Sequence, residues 1–433
     1  MLDRNTPPVT YSPIDFDFKL PLCQEGKLDN GIPIYSLYGN VEPVLQLDLV
    51  FPAGQWYESQ NGVAQATASL LKSGTSKYTS FQISDLFEQY GASVKSNAGS
   101  DWSTISISCL TKHIGQLLPL LADLITDTVF PQSEIDLYIQ NAKQRLSVQL
   151  LKSEFVANRK IDEYLFGLKH PYGKYLVAAD YDAITQDALT QHLKSHYRSA
   201  DCKLFLAGSF SEDDIRLINQ SFGGSAWNDT EKPTQVSPQI ISATEKKYRV
   251  HNDAHVVQNE EGAQGSIRIA SHFPDKHHTD FTPMIVVNTI FGGYFGSRLM
   301  ANIREEKGYT YGIHSYMYNH KQCSAYLIST EAGKDVCEAA IKEIYHEMDV
   351  LKNEKVEADE LDLVKNYLLG TILGDLDGAF QVIHRWKNLI LNDFTQERFY
   401  KNIEIYKSIT AEQIQALANK YYQEDSFYEL VVT

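Results

Sequence analysis

From Val44 to Pro52 the chain reads Val-Leu-Gln-Leu-Asp-Leu-Val-Phe-Pro, with apolar side chains at alternate positions. That period predicts a strand laying one face on a helical layer. Ser266 to Pro274, Ser-Ile-Arg-Ile-Ala-Ser-His-Phe-Pro, repeats the alternation and ends on the same Phe-Pro pair. Each strand is followed by residues that predict a polar turn, a long apolar helix and a second helix closed by glycine. The closing runs are Leu86 to Gly91 and Ile303 to Gly308. Beyond each glycine the pattern predicts a hairpin, Ser93 to Leu110 and Tyr309 to Thr330, and then another helix.

The two Phe-Pro pairs, at Phe51 and Phe273, lie 222 residues apart, and the two helix-closing glycines lie 217 apart. Agreement this close indicates an internal repeat. The fold class it predicts is α+β: two duplicated domains, each an antiparallel-rich mixed sheet packed against a layer of helices. The boundaries fall at residues 1–228, a linker at 229–264, and 265–433. The linker is rich in Lys, Glu, Thr, Pro and Asn, with one short apolar run near Gln239 to Ser242, and it has room to add a strand to the second domain.

Composition narrows the function classes. The chain has 433 residues, of which 43% are hydrophobic, enough for substantial cores. A net charge of -16 with scattered Lys and Arg argues against nucleic acid or an anionic membrane as partner. If that charge lined an enclosed face, basic peptides would be preferred and salt would weaken their binding; an ordinary acidic exterior is the simpler reading. Cys23, Cys109, Cys202, Cys323 and Cys337 are odd in number, widely spaced and without a C-x-x-C pair, and read as reduced thiols. No stretch reaches membrane-span length and no signal peptide is seen at the N-terminus, so the expected compartment is the cytoplasm, or the periplasm or an organelle if a leader has been removed.

Residues 62 to 75, Gly-Val-Ala-Gln-Ala-Thr-Ala-Ser-Leu-Leu-Lys-Ser-Gly-Thr, carry the frame of an inverted zincin helix. In H-x-x-E-H, two imidazoles at i and i+4 hold zinc and the intervening Glu polarises water. Gly62 and Ala64 on one side and Gly74-Thr75 on the other pin the register, and the three chemical positions then fall on Gln65, Ala68 and Ser69. An amide, a methyl and a hydroxyl are poor substitutes for those groups. The later helix that should give a carboxylate places Arg145 and Leu146 near that position, and no Asp or Glu occurs from Leu137 through Ser153. Taken alone, the run is better read as an ordinary Ala-rich core helix; the rest of the chain shifts that reading.

Three further segments carry a resemblance. These are His170-Pro-Tyr-Gly173, Phe291-Gly-Gly-Tyr-Phe-Gly-Ser-Arg-Leu299 and Arg304-Glu-Glu-Lys-Gly-Tyr-Thr-Tyr311. With residues 62 to 75, they make the chain similar over nearly its whole length to the pitrilysin, insulin-degrading-enzyme and mitochondrial-processing-peptidase superfamily, as a bacterial-type, half-length, non-catalytic member. The resemblance implies an active site built from two facing half-molecules, with zinc on the first domain of one and an Arg and a Tyr from the second domain of the other. Arg304 and Tyr311 match those positions. It also implies peptides or unfolded polypeptides as substrate, a homologous zinc-bearing peptidase subunit as partner, zinc in that partner and no cofactor in this chain; homodimerisation stays open.

Each feature has a plainer reading. Arg304 could be a solvated helix residue and Tyr311 one of 26 tyrosines; their spacing around Gly308 favours function. Gly292 and Gly293 read as a tight turn packed on a sheet rather than a phosphate loop, since no P-loop Lys-Ser/Thr follows. His251 with His255, or His272 with His277 and His278, are the candidates for a relocated metal site, although loop positions fit them better. The leading expectation is a non-catalytic subunit of a heterodimeric zinc peptidase; the alternative is an inactive binding or assembly protein of the same fold.

Overall fold

A computed structural model describes residues 16–39, 42–229, 238–252 and 264–433. The first half runs β1 (Gln24–Lys27), β2 (Pro33–Tyr38), β3 (Val44–Phe51), α1 (Val63–Leu70), α2 (Ser80–Gln89), β4 (Ser93–Ala98), β5 (Ser103–Leu110), α3 (Ile114–Thr126), α4 (Gln132–Leu150), α5 (Ser153–Phe166), α6 (Ala178–Asp182), α7 (Gln186–His196), β6 (Lys203–Gly208) and α8 (Glu212–Phe222). The second runs β7 (Lys247–Val250), β8 (Gln264–Phe273), α9 (Phe281–Asn288), β9 (Thr310–Asn319), β10 (Ser324–Gly333), α10 (Cys337–Asn353), α11 (Ala358–Gly374), α12 (Ala379–Leu391), α13 (Gln396–Ser408), α14 (Ala411–Tyr421) and β11 (Tyr428–Val432). Between α9 and β9 lie two π-helical segments, Thr289–Gly293 and Met300–Glu306.

The sheets repeat one topology. In the first the order is β1-β2-β6-β3-β5-β4, and in the second β7-β11-β8-β10-β9. Each contains a single parallel pair, β2 with β6 and β7 with β11, while the remaining pairs are antiparallel. The 229–264 segment therefore does contribute a strand, β7, which stands where β2 stands in the first sheet. The predicted helix-closing glycines adopt the conformation that needs glycine, Gly91 at φ 62° and Gly308 at φ 65°. The helices they close are less alike than the sequence pattern predicts: α2 is α-helical over 10 residues, whereas its second-half counterpart, Met300–Glu306, is a π-helix of 7.

The halves also exchange cover. Helix α5 of the first half packs on β8 and β11 of the second sheet, and α12 of the second half packs on β6 and β2 of the first. Central polar positions of each alternating strand, Asp48 and Arg268, are thereby buried. On β3, Leu45, Leu47, Leu49 and Phe51 enter the first-half core, while Val50 joins the second-half cluster and Asp48 is buried beside Lys387 of α12 at 2.7 Å. On β8, Arg268 is buried and donates to Asn158 Oδ1 of α5 and to Glu331.

The hairpin tips complete the join. Asp101, between β4 and β5, accepts the Tyr172 hydroxyl at 2.5 Å on Oδ1 and the backbone N–H of Lys321, between β9 and β10, at 3.0 Å on Oδ2. The Tyr172 ring stacks on His320 at 3.8 Å. Buried carboxylates of this kind persist only with their hydrogen bonds made. Among the described residues no helix is long and apolar enough to cross a membrane.

Candidate functional site

Helix α1 begins at Gly62, whose φ of 86° turns the chain into the helix. Glu58 anchors that first turn: Oε2 accepts the Ala64 N–H at 3.0 Å and Oε1 meets Lys174 Nζ at 2.7 Å, with the Glu58 side chain almost wholly enclosed. Nothing in the sequence pattern singled out this pair, because Glu58 and Lys174 are 116 positions apart in unrelated segments.

Gln65 and Ser69 lie one turn apart on the exposed side of α1, whereas Ala68 is buried. Ser69 interacts with the Tyr138 phenol of α4, whose pKa burial pushes up to about 12. Leu146 of α4 is buried and Arg145 exposed, so the position read from the sequence as the carboxylate site holds no acid. A cavity of 310 Å³ remains beside Gln65, lined also by Gln55, Glu58, Ala64 and Ser100. Zinc takes imidazole, thiolate or carboxylate ligands, and among the described residues no group of three or more such side chains is placed to hold a metal. The residues at this helix do not fit the ion.

Arg304 sits near the end of the Met300–Glu306 segment and Tyr311 at the start of β9, with Gly308 reversing the chain between them. Both line one open cleft of 550 Å³ together with Gln264, Glu305 and Tyr309. Arg304 Nε donates to the Tyr311 carbonyl at 3.0 Å, and the guanidinium lies 4.7 Å from the centre of the Phe295 ring. A third contact, to Glu305 Oε1, is longer at 3.4 Å. The Tyr311 side chain stands out into solvent, at 93% exposure, although Tyr is more often at least half covered. Phe295 is also exposed and belongs to the Gly-rich segment, yet sequence reasoning did not single it out.

Gly292 and Gly293 lie behind this cleft. A side chain at Gly292 would collide with Ser315 of β9 and with Leu299, and one at Gly293 would meet Asn288. Close helix-to-strand contact, rather than ligand approach, is what their geometry serves. The candidate histidines are dispersed: His272 contacts Ser242 Oγ at 2.9 Å, His277 packs on Phe394, and His278 lies 4.0 Å from Asp280. His251 is exposed, and His255 lies outside the described residues.

Comparison with known proteins bears on the family and the fold. Residues 37–170 match the insulinase model of peptidase family M16, and residues 183–368 match the peptidase M16 inactive domain. The "Uncharacterized zinc protease YmxG" of Bacillus subtilis is 20% identical over 86% of this chain and 88% of its own length. The "Non-peptidase homolog YmxG" of Helicobacter pylori is 22% identical over 78% and 77%, and a probable mitochondrial-processing peptidase subunit beta of Arabidopsis thaliana 20% over 91% and 75%. A crystal structure of a peptidase M16 inactive domain from Pseudomonas fluorescens superposes with a TM-score of 0.82 at 20% identity, covering 95% of this chain and 98% of that one. The chain belongs to the pitrilysin superfamily, peptidase family M16. Within it, this is a non-catalytic member, lacking the zinc-binding side chains.

Proposed function

We propose that this chain is the non-catalytic subunit of a heterodimeric zinc peptidase, enclosing a peptide or unfolded segment against a homologous subunit that carries an intact H-x-x-E-H. The zinc belongs to that partner. One observation carries the reading: Arg304 and an almost wholly exposed Tyr311 share one cleft in a chain whose own α1 has lost its metal groups. A phenol held in solvent by a β-strand costs apolar contact and returns nothing to this chain alone, which is what a group presented to another surface looks like.

In the complex, the Tyr311 hydroxyl donates to the substrate carbonyl and more strongly to the oxyanion that develops as water attacks. Arg304 keeps Nη2 free of protein hydrogen bonds among the described residues, with Nε and Nη1 engaged, and adds positive charge beside the same oxygen. The Arabidopsis relative, named as a processing-peptidase subunit, supports a homologous subunit as partner. Mixing the purified chain with a zinc-bearing homologue from the same cells and following cleavage of a fluorogenic peptide tests it: activity that needs both chains supports the reading, and activity of the homologue unaffected by this chain removes it.

A second reading, an inactive binding or assembly protein of the same fold, draws on the relative named a non-peptidase homologue. It predicts a stable non-peptidase partner and indifference to Tyr311→Phe.

A further inference from the structure

A cavity of 610 Å³ opens where α12, α13 and the start of α9 cover the first sheet, walled by Gln46 and Asp48 of β3 and Phe205 of β6 on one side. Two of its cations are neutralised within the chain. Lys387 Nζ lies 2.7 Å from Asp48 Oδ2, and Arg385 pairs with Asp375. The other oxygen of Asp48 accepts from Gln46 Nε2 at 2.9 Å. Neither carboxylate of this wall pairs with the remaining two cations.

Those are Lys276 and Arg398. Lys276 Nζ donates to Asn392 Oδ1 at 3.1 Å, and Arg398 Nη2 donates to the Lys276 carbonyl at 2.8 Å and to Thr282 Oγ1 at 3.1 Å. Every one of these acceptors is neutral, and among the described residues neither cation forms an ion pair. Burial lowers the pKa of both, opposed at Lys276 by the smaller pull of the Asp101 carboxylate; a guanidinium does not discharge in a protein, so the Arg398 charge stays. Nearby, Arg385 Nε is buried without an acceptor among the described residues.

A guanidinium in a partly enclosed cavity, with no carboxylate partner among the described residues, is costly unless an anion joins it. This chain carries 55 acidic side chains against 39 basic ones, yet among the described residues none pairs with Arg398. The rest of the wall mixes neutral polar side chains, among them Gln381, Asn388 and Asn402, with apolar ones, of which Phe281 is buried and Phe394 lies 5.0 Å under the Arg398 guanidinium. Volume fits as well, because small-molecule pockets span about 300–1,000 Å³.

We propose that this cavity binds a small organic anion bearing carboxylate or phosphate groups on an apolar body, with Lys276 and Arg398 as its charge partners. The ligand bridges the first sheet and the second-half helices and so reports on, or fastens, the packing of one half on the other. The cavity shares no lining residue with the Arg304 cleft, and the inference stands or falls separately from the peptidase reading.

The test is calorimetric titration of the full chain with inorganic phosphate, citrate and ADP, alongside thermal melts. At least one probe is expected to bind saturably at one site, raise the melting temperature with concentration, and bind more weakly as salt is added. Lys276→Met is expected to weaken that binding by about tenfold or more, as loss of a charge-assisted hydrogen bond should. Arg398→Lys should do the same through its changed geometry, and the exposed Lys401→Met should leave it unchanged. Lys276→Met carries the decision, because its ammonium holds only one neutral acceptor and its loss spares the fold. Absence of binding by all three probes at about 10 mM, an affinity too weak to use, or binding indifferent to Lys276→Met, overturns the proposal.

Discussion

Arg304 donates from Nε to the backbone carbonyl of Tyr311 at 3.0 Å, so the side chain of one residue fixes the backbone of the other while the Tyr311 ring is left free. The pair is thus set by one turn, with Gly308 as the pivot. A guanidinium that orients its neighbour through a main-chain oxygen is insensitive to what the neighbour's side chain does. The two residues can accordingly be separated by mutation.

Tyr311→Phe should leave the stability of the isolated chain within about 0.5 kcal/mol of wild type, because among the described residues its hydroxyl has no hydrogen-bond partner and the side chain is 93% exposed. Arg304→Ala should cost about 1 kcal/mol through the lost hydrogen bond and the Phe295 contact. In the two-chain assay each should lower kcat/KM by about tenfold or more, with roughly 100-fold as the expected loss if either acts as a dedicated oxyanion donor. Denaturation midpoints beside peptide kinetics check both halves of the statement.

Restoring H-x-x-E-H by Gln65→His, Ala68→Glu and Ser69→His should not restore hydrolysis in the isolated chain. Imidazoles at 65 and 69 would be exposed, but Glu at 68 replaces a buried methyl, costing about 2 kcal/mol or more, and α4 still offers no carboxylate. Metal analysis after dialysis should find zinc well below one equivalent in the triple variant and in wild type, and a chelator should leave the wild-type melting temperature unchanged. Stoichiometric zinc with peptide cleavage by the variant would count against this account of α1.

Asp101 should matter for how the halves hold together. Asp101→Ala strands a buried Tyr172 hydroxyl and the Lys321 N–H, at a cost of about 2–4 kcal/mol. Calorimetric unfolding should broaden or split into two steps in the variant, since the hairpin tips lose their shared acceptor. A single, equally sharp transition at the wild-type temperature would contradict it.

His192 supplies a pH dependence of known sign. Burial, then the neighbouring His196, lowers its pKa to about 3, while its Nε2 hydrogen-bonds the Ala53 carbonyl at 3.1 Å. The unfolded chain binds this proton near pH 6.5 and the folded chain does not. Its stabilising contribution is therefore complete above about pH 6.5 and declines as pH falls toward 3, by at most about 1.4 kcal/mol per pH unit. His192→Gln should remove that share of the slope, which urea midpoints between pH 7 and pH 4 would register.

The central strands, the glycine-closed helices and the hairpins were legible in the sequence because each is a local pattern of period or conformation. β3, β8, Gly91 and Gly308 all stand where alternation and helix termination put them. The exchange of α5 and α12 was not legible, since an amphipathic helix announces a covered face and not which sheet covers it. For the same reason Asp48 and Arg268 read as solvent-side polar positions of a strand and proved buried under a helix from the other half. At the cleft, Arg304 and Tyr311 were found through a motif, whereas Phe295, Glu58 and Lys174 needed coordinates, because their roles come from contacts between segments.

The most direct test of the central claim is peptide cleavage by the reconstituted pair of this chain and a zinc-bearing homologue, compared with the same pair carrying Arg304→Ala. The account predicts cleavage that requires both chains and falls about tenfold or more in the variant, with the complex still assembled by size-exclusion chromatography. An assembled pair that cleaves equally well with Arg304→Ala, or a homologue that needs no partner at all, would contradict it.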